Sequence, residues 1–230
     1  MELSKRLQAV ANLVSDGLVV ADVGTDHGYI PIYLVKNGKC PSALAMDVNE
    51  GPILRAKEHV ISYGLEDKIQ TRLSNGVKAL SVGEAECVVV AGMGGALMIR
   101  IMEEGDEIFR NLKEFVLQPQ SELEKVRLYL NEQGYKVIEE DMVLDDGKFY
   151  PMMKVTNGEA LAYNIMELRY GKGLLKEKHP VLKLFLEKEI QTKELILYNL
   201  KAETREHIRI RRKELEEEIR YAKEALHVYS

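Results

Sequence analysis

The chain has 230 residues, enough for one well-buried domain of ordinary size and a smaller appendage, and too few for several independent cores. Hydrophobic residues at 46% and charged residues at 30% describe a globular protein and exclude a disordered one. A formal net charge of -5 and a pI near 5.7 exclude wholesale attraction to polyanions, so any nucleic-acid contact has to come from local basic patches.

The N-terminal stretch MELSKRLQAVANLV mixes charged and apolar residues at helical spacing, without the continuous apolar core of a signal peptide. No later apolar run approaches the roughly 18 residues of a membrane span, so a cytoplasmic protein without membrane contact is expected. From Gly17 to about Asn157, short β-branched runs alternate with longer amphipathic stretches: LVVADV, YIPIYLVKNG, SALAMDV, then a helical pattern through Ala56, His59, Val60 and Tyr63. This alternation predicts βαβ units and a parallel sheet. Cys40 and Cys87, which fall in this region, are too few for a disulfide framework or a zinc site and read as structural thiols. Further strands are predicted at Lys68 to Leu73, Ala85 to Ala91 and Glu114 to Gln118, with helices near Gly94 to Glu104 and Glu122 to Gln133. The runs KVIEEDMVLDD and FYPMMKVT meet at Asp146-Gly147, a dipeptide that favours a tight hairpin.

After Gly158 the composition shifts to Leu, Glu, Lys and Arg, which divides the chain into a domain over 1–158 and a second over 159–230. Turn signals at Gly171, Gly173 and Pro180 precede two long helical patterns. The first aligns Leu182, Leu186, Ile190, Leu197 and Leu200; the second aligns Ile208, Leu215, Ile219, Ala222 and Leu226. They read as an antiparallel coiled coil joined near Glu203 and Thr204.

The strongest local signal is VVADVGTDHGYIP, a hydrophobic strand that ends at Asp22 and passes through Gly24, Thr25, Asp26, His27 and Gly28 into a helix. Glycines there let the backbone turn sharply and approach a ligand, with helix-start amides facing the same cleft. The spacing Asp22-x-Gly24-x-x-x-Gly28 departs from the GxGxxG that accommodates a pyrophosphate. An acidic residue before such a turn suits the ammonium group of a sulfonium amino acid. The plainer alternative is a strand-to-helix turn capped by Asp26. Asp47, 19 residues beyond Gly28 and followed by Val48, ends the second strand, where a carboxylate can accept both hydroxyls of a ribose. Asn75 and Gly76 follow the third strand, as an adenine contact or simply as an Asn-Gly turn. After the fourth strand, Ala91, Gly92, Met93, Gly94 and Gly95 lie at the same sheet edge, where small residues leave room for a bulky substrate.

DVGTDHGYIP, the Gly-Pro after Asn49 and Glu50, AGMGGALM and LQPQ together resemble the bacterial tRNA (adenine(22)-N1)-methyltransferase family. The motifs span the first domain in order, and the trailing helices match that family too. The resemblance implies an α/β fold, with a Rossmann-like class I methyltransferase domain followed by the helical coiled-coil domain; a parallel sheet that closes on an antiparallel pair agrees by analogy. It implies S-adenosylmethionine as cofactor and tRNA as partner, with no obligate protein partner expected. It implies cofactor contact at Gly24, Asp26, His27 and Gly28, ribose contact at Asp47, and substrate-side roles for Gly92, Met93 and Gly94. Gln118 and Pro119 belong to the same LQPQ motif. Two positions depart from the family pattern: Asn75 stands where an acidic residue is common, and Gln120 where asparagine is common.

Adenine N1 carries a lone pair at neutral pH, so alignment with the methyl donor supplies much of the rate. A carboxylate near the ring would stabilise the cationic product, and Asp26 is the candidate; His27 is given no chemistry. Lys5 and Arg6 near the first helix, and Arg205, Arg209, Arg211, Arg212 and Lys213 near the last turn, are the candidate RNA contacts. No His, Cys or carboxylate cluster has metal-ligand spacing. An NAD-dependent oxidoreductase is disfavoured by the missing third glycine and the terminal hairpin. A non-catalytic adaptor with a degenerate nucleotide fold is disfavoured by the intact Asp22, Gly24, Gly28 and Asp47.

Overall fold

In the computed structural model, residues 1–159, 162–200 and 205–230 are described. The chain divides into two compact units, Met1–Ala162 and Tyr163–Ser230, a boundary a few residues beyond the composition shift at Gly158.

In the first unit, the β-branched runs form strands because each can be buried on both faces of a parallel sheet. β1 (Val20–Val23), β2 (Ala43–Asp47), β3 (Ile69–Leu73), β4 (Cys87–Met93), β5 (Glu114–Pro119), β6 (Tyr135–Asp145) and β7 (Lys148–Asn157) form one sheet in the order β3-β2-β1-β4-β5-β7-β6. The pairs from β3 to β5 are parallel, while β7 runs antiparallel between β5 and β6. The β6–β7 hairpin turns at Asp146 and Gly147, both at positive φ (47° and 72°) as a tight hairpin of matching twist requires.

Alternate residues of each strand face opposite cores. Ala21, Val23, Leu44, Met46, Val88 and Val90 pack on one face with Met98, Met102, Phe109 and Leu130. Val20, Ala43, Ala45, Cys87 and Val89 pack on the other with Val10, Leu13, Ile30, Ile32 and Leu34. The second group comes from α1 (Lys5–Leu13) and α2 (Tyr29–Lys36). The first comes mainly from α4 (Gly95–Glu104), α5 (Asp106–Arg110) and α6 (Leu123–Glu132), while α3 (Glu50–Ser62) links β2 to β3.

The first helix is tied to the far half of the sheet at both ends. The Arg6 amide donates to Asp145 Oδ2 at 3.0 Å. At the other end, the Ser15 amide and hydroxyl donate to the two oxygens of buried Glu114, each at 2.7 Å, and Lys154 donates to Ser15 Oγ at 2.6 Å. A buried ion pair, Arg127 to Glu140 at 2.9 Å, joins α6 to β6.

In the second unit, α7 (Ile165–Tyr170) starts with a capping box in which Asn164 and Glu167 each satisfy the other's backbone amide. It is followed by α8 (Lys172–Lys176), α9 (Pro180–Asn199) and α10 (Glu206–Leu226). Gly173, expected as a turn, lies inside α8; Gly171 at φ 94° makes the turn between α7 and α8. Pro180 occupies the first turn of α9, where its missing N–H costs nothing. Leu182, Leu186 and Ile190 of α9 and Leu215, Ile219 and Ala222 of α10 are buried, while Leu197, Leu200, Ile208 and Leu226 are half-buried. Lys193 pairs with Glu218 at 2.9 Å, and the Tyr229 hydroxyl reaches the His179 carbonyl at 2.9 Å, which sets the two long helices antiparallel. The expected join at Glu203 and Thr204 lies outside the described residues.

Candidate active site

β1 is flanked by β2 on one side and β4 on the other, so chain connections leave it in opposite directions and open a crevice at the strand ends. A cleft of about 180 Å³ occupies that place, lined by residues of α1, of the turn from β1 into α2, and of the end of β4.

The turn is built by backbone hydrogen bonds. The amides of Gly24 and Thr25 both donate to the Met46 carbonyl, at 2.8 and 2.9 Å, and that of Gly28 donates to Thr25 at 3.0 Å. Gly24 has φ 76°, and a Cβ there would run into the Met93 methyl, so the turn and the end of β4 meet over a backbone with no side chain. Gly28, at φ 72°, precedes α2 as its cap residue without a side-chain hydrogen bond, so Asp26 does not cap this helix. Instead the Asp26 carboxylate pairs with Arg55 of α3 at 2.7 Å and lies 3.4 Å from His27 Nε2. Asp26 is itself in the left-handed region, at φ 51°.

Asp22 is 3% exposed and accepts the Thr25 hydroxyl at 2.6 Å. Burial pushes its carboxyl up to about 7; the Thr25 hydrogen bond opposes this, the Asp47 charge adds to it, and Arg6 draws it back down. Asp47, also buried, ends β2; its Oδ1 accepts the Asn49 amide at 3.0 Å and its Oδ2 the Asp26 amide at 3.4 Å. Val48 beside it is 58% exposed. The two carboxylates thus stand at the ends of adjacent strands, on either side of the glycine turn.

At the end of β4 the register with β5 shifts between Ala91 and Met93, with Gly92 at φ 79° in the bulge. Ala91 lines the cleft, and Gly94 leads into α4. Gln118 is fully buried at the end of β5, its Oε1 accepting from Arg6 Nη1 at 3.0 Å and its Nε2 donating to the Pro119 carbonyl at 3.2 Å. Pro119 is buried too and pairs with Met93 across the sheet.

Other expected residues lie elsewhere. Asn75 is exposed at the sheet edge and is not among the cleft-lining residues. Gly76 faces Ile101 of α4, where a Cβ would come within 3.1 Å, so this position is set by packing. Arg6, expected on an RNA surface, lines the cleft with its neighbour Leu7, whereas Lys5 is exposed. In the second unit, Arg209 pairs with Glu206 at 3.2 Å, Arg211 with Glu214 at 2.9 Å and Glu218 at 3.3 Å, and Arg212 is half-buried; Arg205 and Lys213 are exposed. Arg209 and Arg211 are therefore paired with glutamates of their own helix.

Sequence reasoning missed Tyr29, Ile30, Arg55 and His59. His27, Tyr29 and His59 stack with centroids 5.1 to 5.5 Å apart, and His59 Nδ1 sits 2.9 Å from the His27 carbonyl. The DHGY run was the available signal for the first two rings; His59 joins them only through the packing of α3. Among the described residues, no group of three or more His, Cys, Asp or Glu could hold a metal ion, and no helix is long and apolar enough to cross a membrane.

Residues 3–153 match the family model of a methyltransferase domain. The tRNA (adenine(22)-N(1))-methyltransferase of Bacillus subtilis is 37% identical over 196 residues, covering 83% of this chain and 81% of that protein. The chain belongs to the tRNA (adenine(22)-N1)-methyltransferase family. Two solved structures place this family's fold over the whole chain. One, Sp1610 of Streptococcus pneumoniae in complex with S-adenosyl-L-methionine, has 36% identity and a TM-score of 0.89, covering 98% of this chain and 100% of that one. The other, TrmK of M. capricolum in complex with S-adenosyl-homocysteine, has 26% identity and a TM-score of 0.85, covering 99% of each chain.

Proposed function

We propose that this protein transfers a methyl group from S-adenosylmethionine to N1 of adenine 22 in tRNA, acting in the cytoplasm. The observation that carries this reading is the pair of buried carboxylates, Asp22 and Asp47, at adjacent strand ends around a glycine turn. The arrangement belongs to a chain 37% identical to a tRNA (adenine(22)-N(1))-methyltransferase. The cleft fits the cofactor. Among the described residues Asp22 has no cationic partner within ion-pair distance, which leaves its carboxylate for an ammonium group. Asp47 is placed for ribose hydroxyls, and Gly24 leaves a cradle that a Cβ would fill.

When bound, S-adenosylmethionine supplies an electrophilic methyl group on a sulfonium centre. The chain's contribution is to hold that group and the target nitrogen in line, which is where most of the rate arises when the nucleophile already carries a lone pair. Gly92, Met93 and Gly94 border the target base, the two glycines leaving room for it, and buried Gln118 and Pro119 form the floor beside them. Methylation makes the ring cationic, and the Asp26 carboxylate at the cleft mouth stabilises that charge. Arg55 holds Asp26 in place at 2.7 Å. A base within folded tRNA has to leave its stack before N1 is reachable. The helical unit, read as an antiparallel coiled coil, and Lys5 of α1 contact the RNA backbone, with Arg205, Arg209, Arg211 and Arg212 supplying phosphate contacts.

The test is methyl transfer from labelled S-adenosylmethionine to unmodified transcripts bearing adenine or guanine at tRNA position 22. Label on the adenine transcript alone is expected. Equal label on both would discard the site, and no label with intact cofactor binding would discard the substrate.

A further inference from the structure

We propose that Glu122 is a positioning residue for methyl transfer: its carboxylate fastens the start of α4, and with it the Gly92–Gly94 turn, to the segment that follows β5. The inference rests on the reaction proposed above, in which that turn borders the target base.

Two chain segments leave the sheet side by side here: one runs from β4 through Gly94 into α4, the other from β5 through Glu122 into α6. They lie backbone against backbone. The Gln120 amide donates to the Met93 carbonyl at 2.9 Å, and a Cβ at Gly95 would come within 2.7 Å of the Ser121 carbonyl oxygen and 3.0 Å of Glu122 Cβ. The N-cap of α4 is Gly94, which has no side chain with which to satisfy the first amides of its helix. Glu122 supplies the missing acceptor from the neighbouring segment, its Oε2 accepting from the Ala96 amide at 3.0 Å. Its Oε1 accepts from Lys125 Nζ at 2.7 Å, and these two contacts, Lys125 first, hold the carboxyl below its ordinary range. A negative charge is favoured at a helix N-terminus, where the free amides point outward.

The backbone of Glu122 has φ 56° and ψ 34°, a left-handed conformation that glycine or asparagine adopts more readily. Glu122 is the N-cap residue of α6, yet its side chain does not cap that helix. The glutamate is spent on α4 instead. The register of β4 with β5 shifts between Ala91 and Met93, so the sheet ladder does not run unbroken through the Gly92 bulge. Beyond the bulge, Met93 is held by Pro119 and the Gln120 amide, and the start of α4 by Glu122. Glu122 is not among the residues lining the cleft, so it acts on the reaction through Gly92, Met93 and Gly94. In-line transfer is sensitive to such placement: a shift of about 1 Å can cost about 100-fold in rate.

Two variants of the full-length protein test this. Glu122→Gly removes the carboxylate and at the same time relieves the left-handed backbone, so the lost cap and the lost strain offset each other in stability. Glu122→Gln keeps an acceptor for the Ala96 amide. Both are assayed by steady-state methyl transfer to the transcript bearing adenine at tRNA position 22, calorimetric titration of S-adenosylhomocysteine, thermal melts, and hydrogen exchange of the segment from Gly92 to Met98. Glu122→Gly is expected to lower kcat about 10- to 100-fold, to leave S-adenosylhomocysteine affinity within about threefold, and to raise exchange at the start of α4 about tenfold. Glu122→Gln is expected to stay within about threefold of wild type in all three. An unchanged kcat in Glu122→Gly would overturn the inference and leave Glu122 a helix cap. A loss of kcat matched by an equal loss of cofactor affinity, or by melting at the assay temperature, would overturn it too. So would a Glu122→Gln variant as slow as Glu122→Gly, since the acceptor would then not be what matters. Wild-type protein inactive on the transcript would remove the reaction reading, and exchange would still decide the fastening: no rise in Glu122→Gly refutes it.

Discussion

Replacing Asp22 with Asn separates what the cleft costs the fold from what it does for the ligand. Raising a buried carboxyl from 3.8 to about 7 corresponds to about 4 kcal/mol of preference for the protonated form in the native state. Because the folded pKa lies above the unfolded one, the native chain holds the extra proton between about pH 4 and pH 7. Stability therefore falls as pH rises through that window and levels off above it. Asparagine is neutral throughout, and its carbonyl can still accept the Thr25 hydroxyl. Asp22→Asn is accordingly expected to match wild type below about pH 4, to exceed it by roughly 1.5 kcal/mol at pH 5 and by up to about 4 kcal/mol at pH 8. For a chain of this size that is a Tm increase on the order of 10 °C. The same variant should bind S-adenosylhomocysteine at least tenfold more weakly at pH 8, because the ammonium loses its counter-charge. Wild-type affinity should itself decline as pH drops below about 7, since ligand binding then has to expel a proton from Asp22. Thermal melts and calorimetric titrations at pH 5 and pH 8 read all three. A Tm difference independent of pH, or a variant less stable at both values, would refute the idea that Asp22 is a buried charge kept for its ligand.

Gly24→Ala introduces a Cβ at φ 76° against the Met93 methyl and is expected to weaken S-adenosylhomocysteine about tenfold by titration. Adding Met93→Ala should relieve the contact and recover part of that loss, leaving only the backbone strain. Asp26→Asn should lower kcat about 10- to 100-fold while changing cofactor affinity little, because its carboxylate faces the cleft mouth; equal losses in steady-state kinetics and in titration would make it a binding residue. Cys40 and Cys87 are both buried; desolvation pushes the Cys40 thiol up to about 11 and Cys87 well above its usual value. A thiol reagent at pH 8 should find neither in the native protein and both after denaturation.

The sheet was largely legible because its cause is local. Runs such as VVADV and ALAMD are apolar on both faces apart from one aspartate near the strand end, and Asp146-Gly147 admits the positive φ of a hairpin turn. Strand order was not legible, since periodicity carries no record of which strands pair. The short helices α5, α7 and α8 escaped because five or six residues give too little period to read. At the site, the glycine turn announced itself through backbone geometry. The partners of its side chains did not. Arg55 meets Asp26 only because α3 packs beside α2, and Arg6 reaches Gln118 only because α1 lies on the last strands. Asn75 occupies the sheet edge where expected, yet the local turn leaves it exposed and aims the neighbouring Gly76 at Ile101.

The anchoring of α1 also orders events during synthesis. Arg6 meets Asp145 across 139 residues of sequence, and Ser15 meets Glu114 across 99. A nascent chain that has already made β1, the glycine turn and β2 still lacks the strand ends on which α1 settles. At roughly 5–20 residues per second, the interval between emergence of Arg6 and emergence of its partner is on the order of 10–30 s. Throughout that time the N-terminal segment can pack only on α2 and β1, without the polar anchors at its two ends, and ligand cannot stabilise the half-made domain through both walls of the cleft. Completion of the hairpin is thus the step at which the nascent protein becomes able to capture its small-molecule ligand.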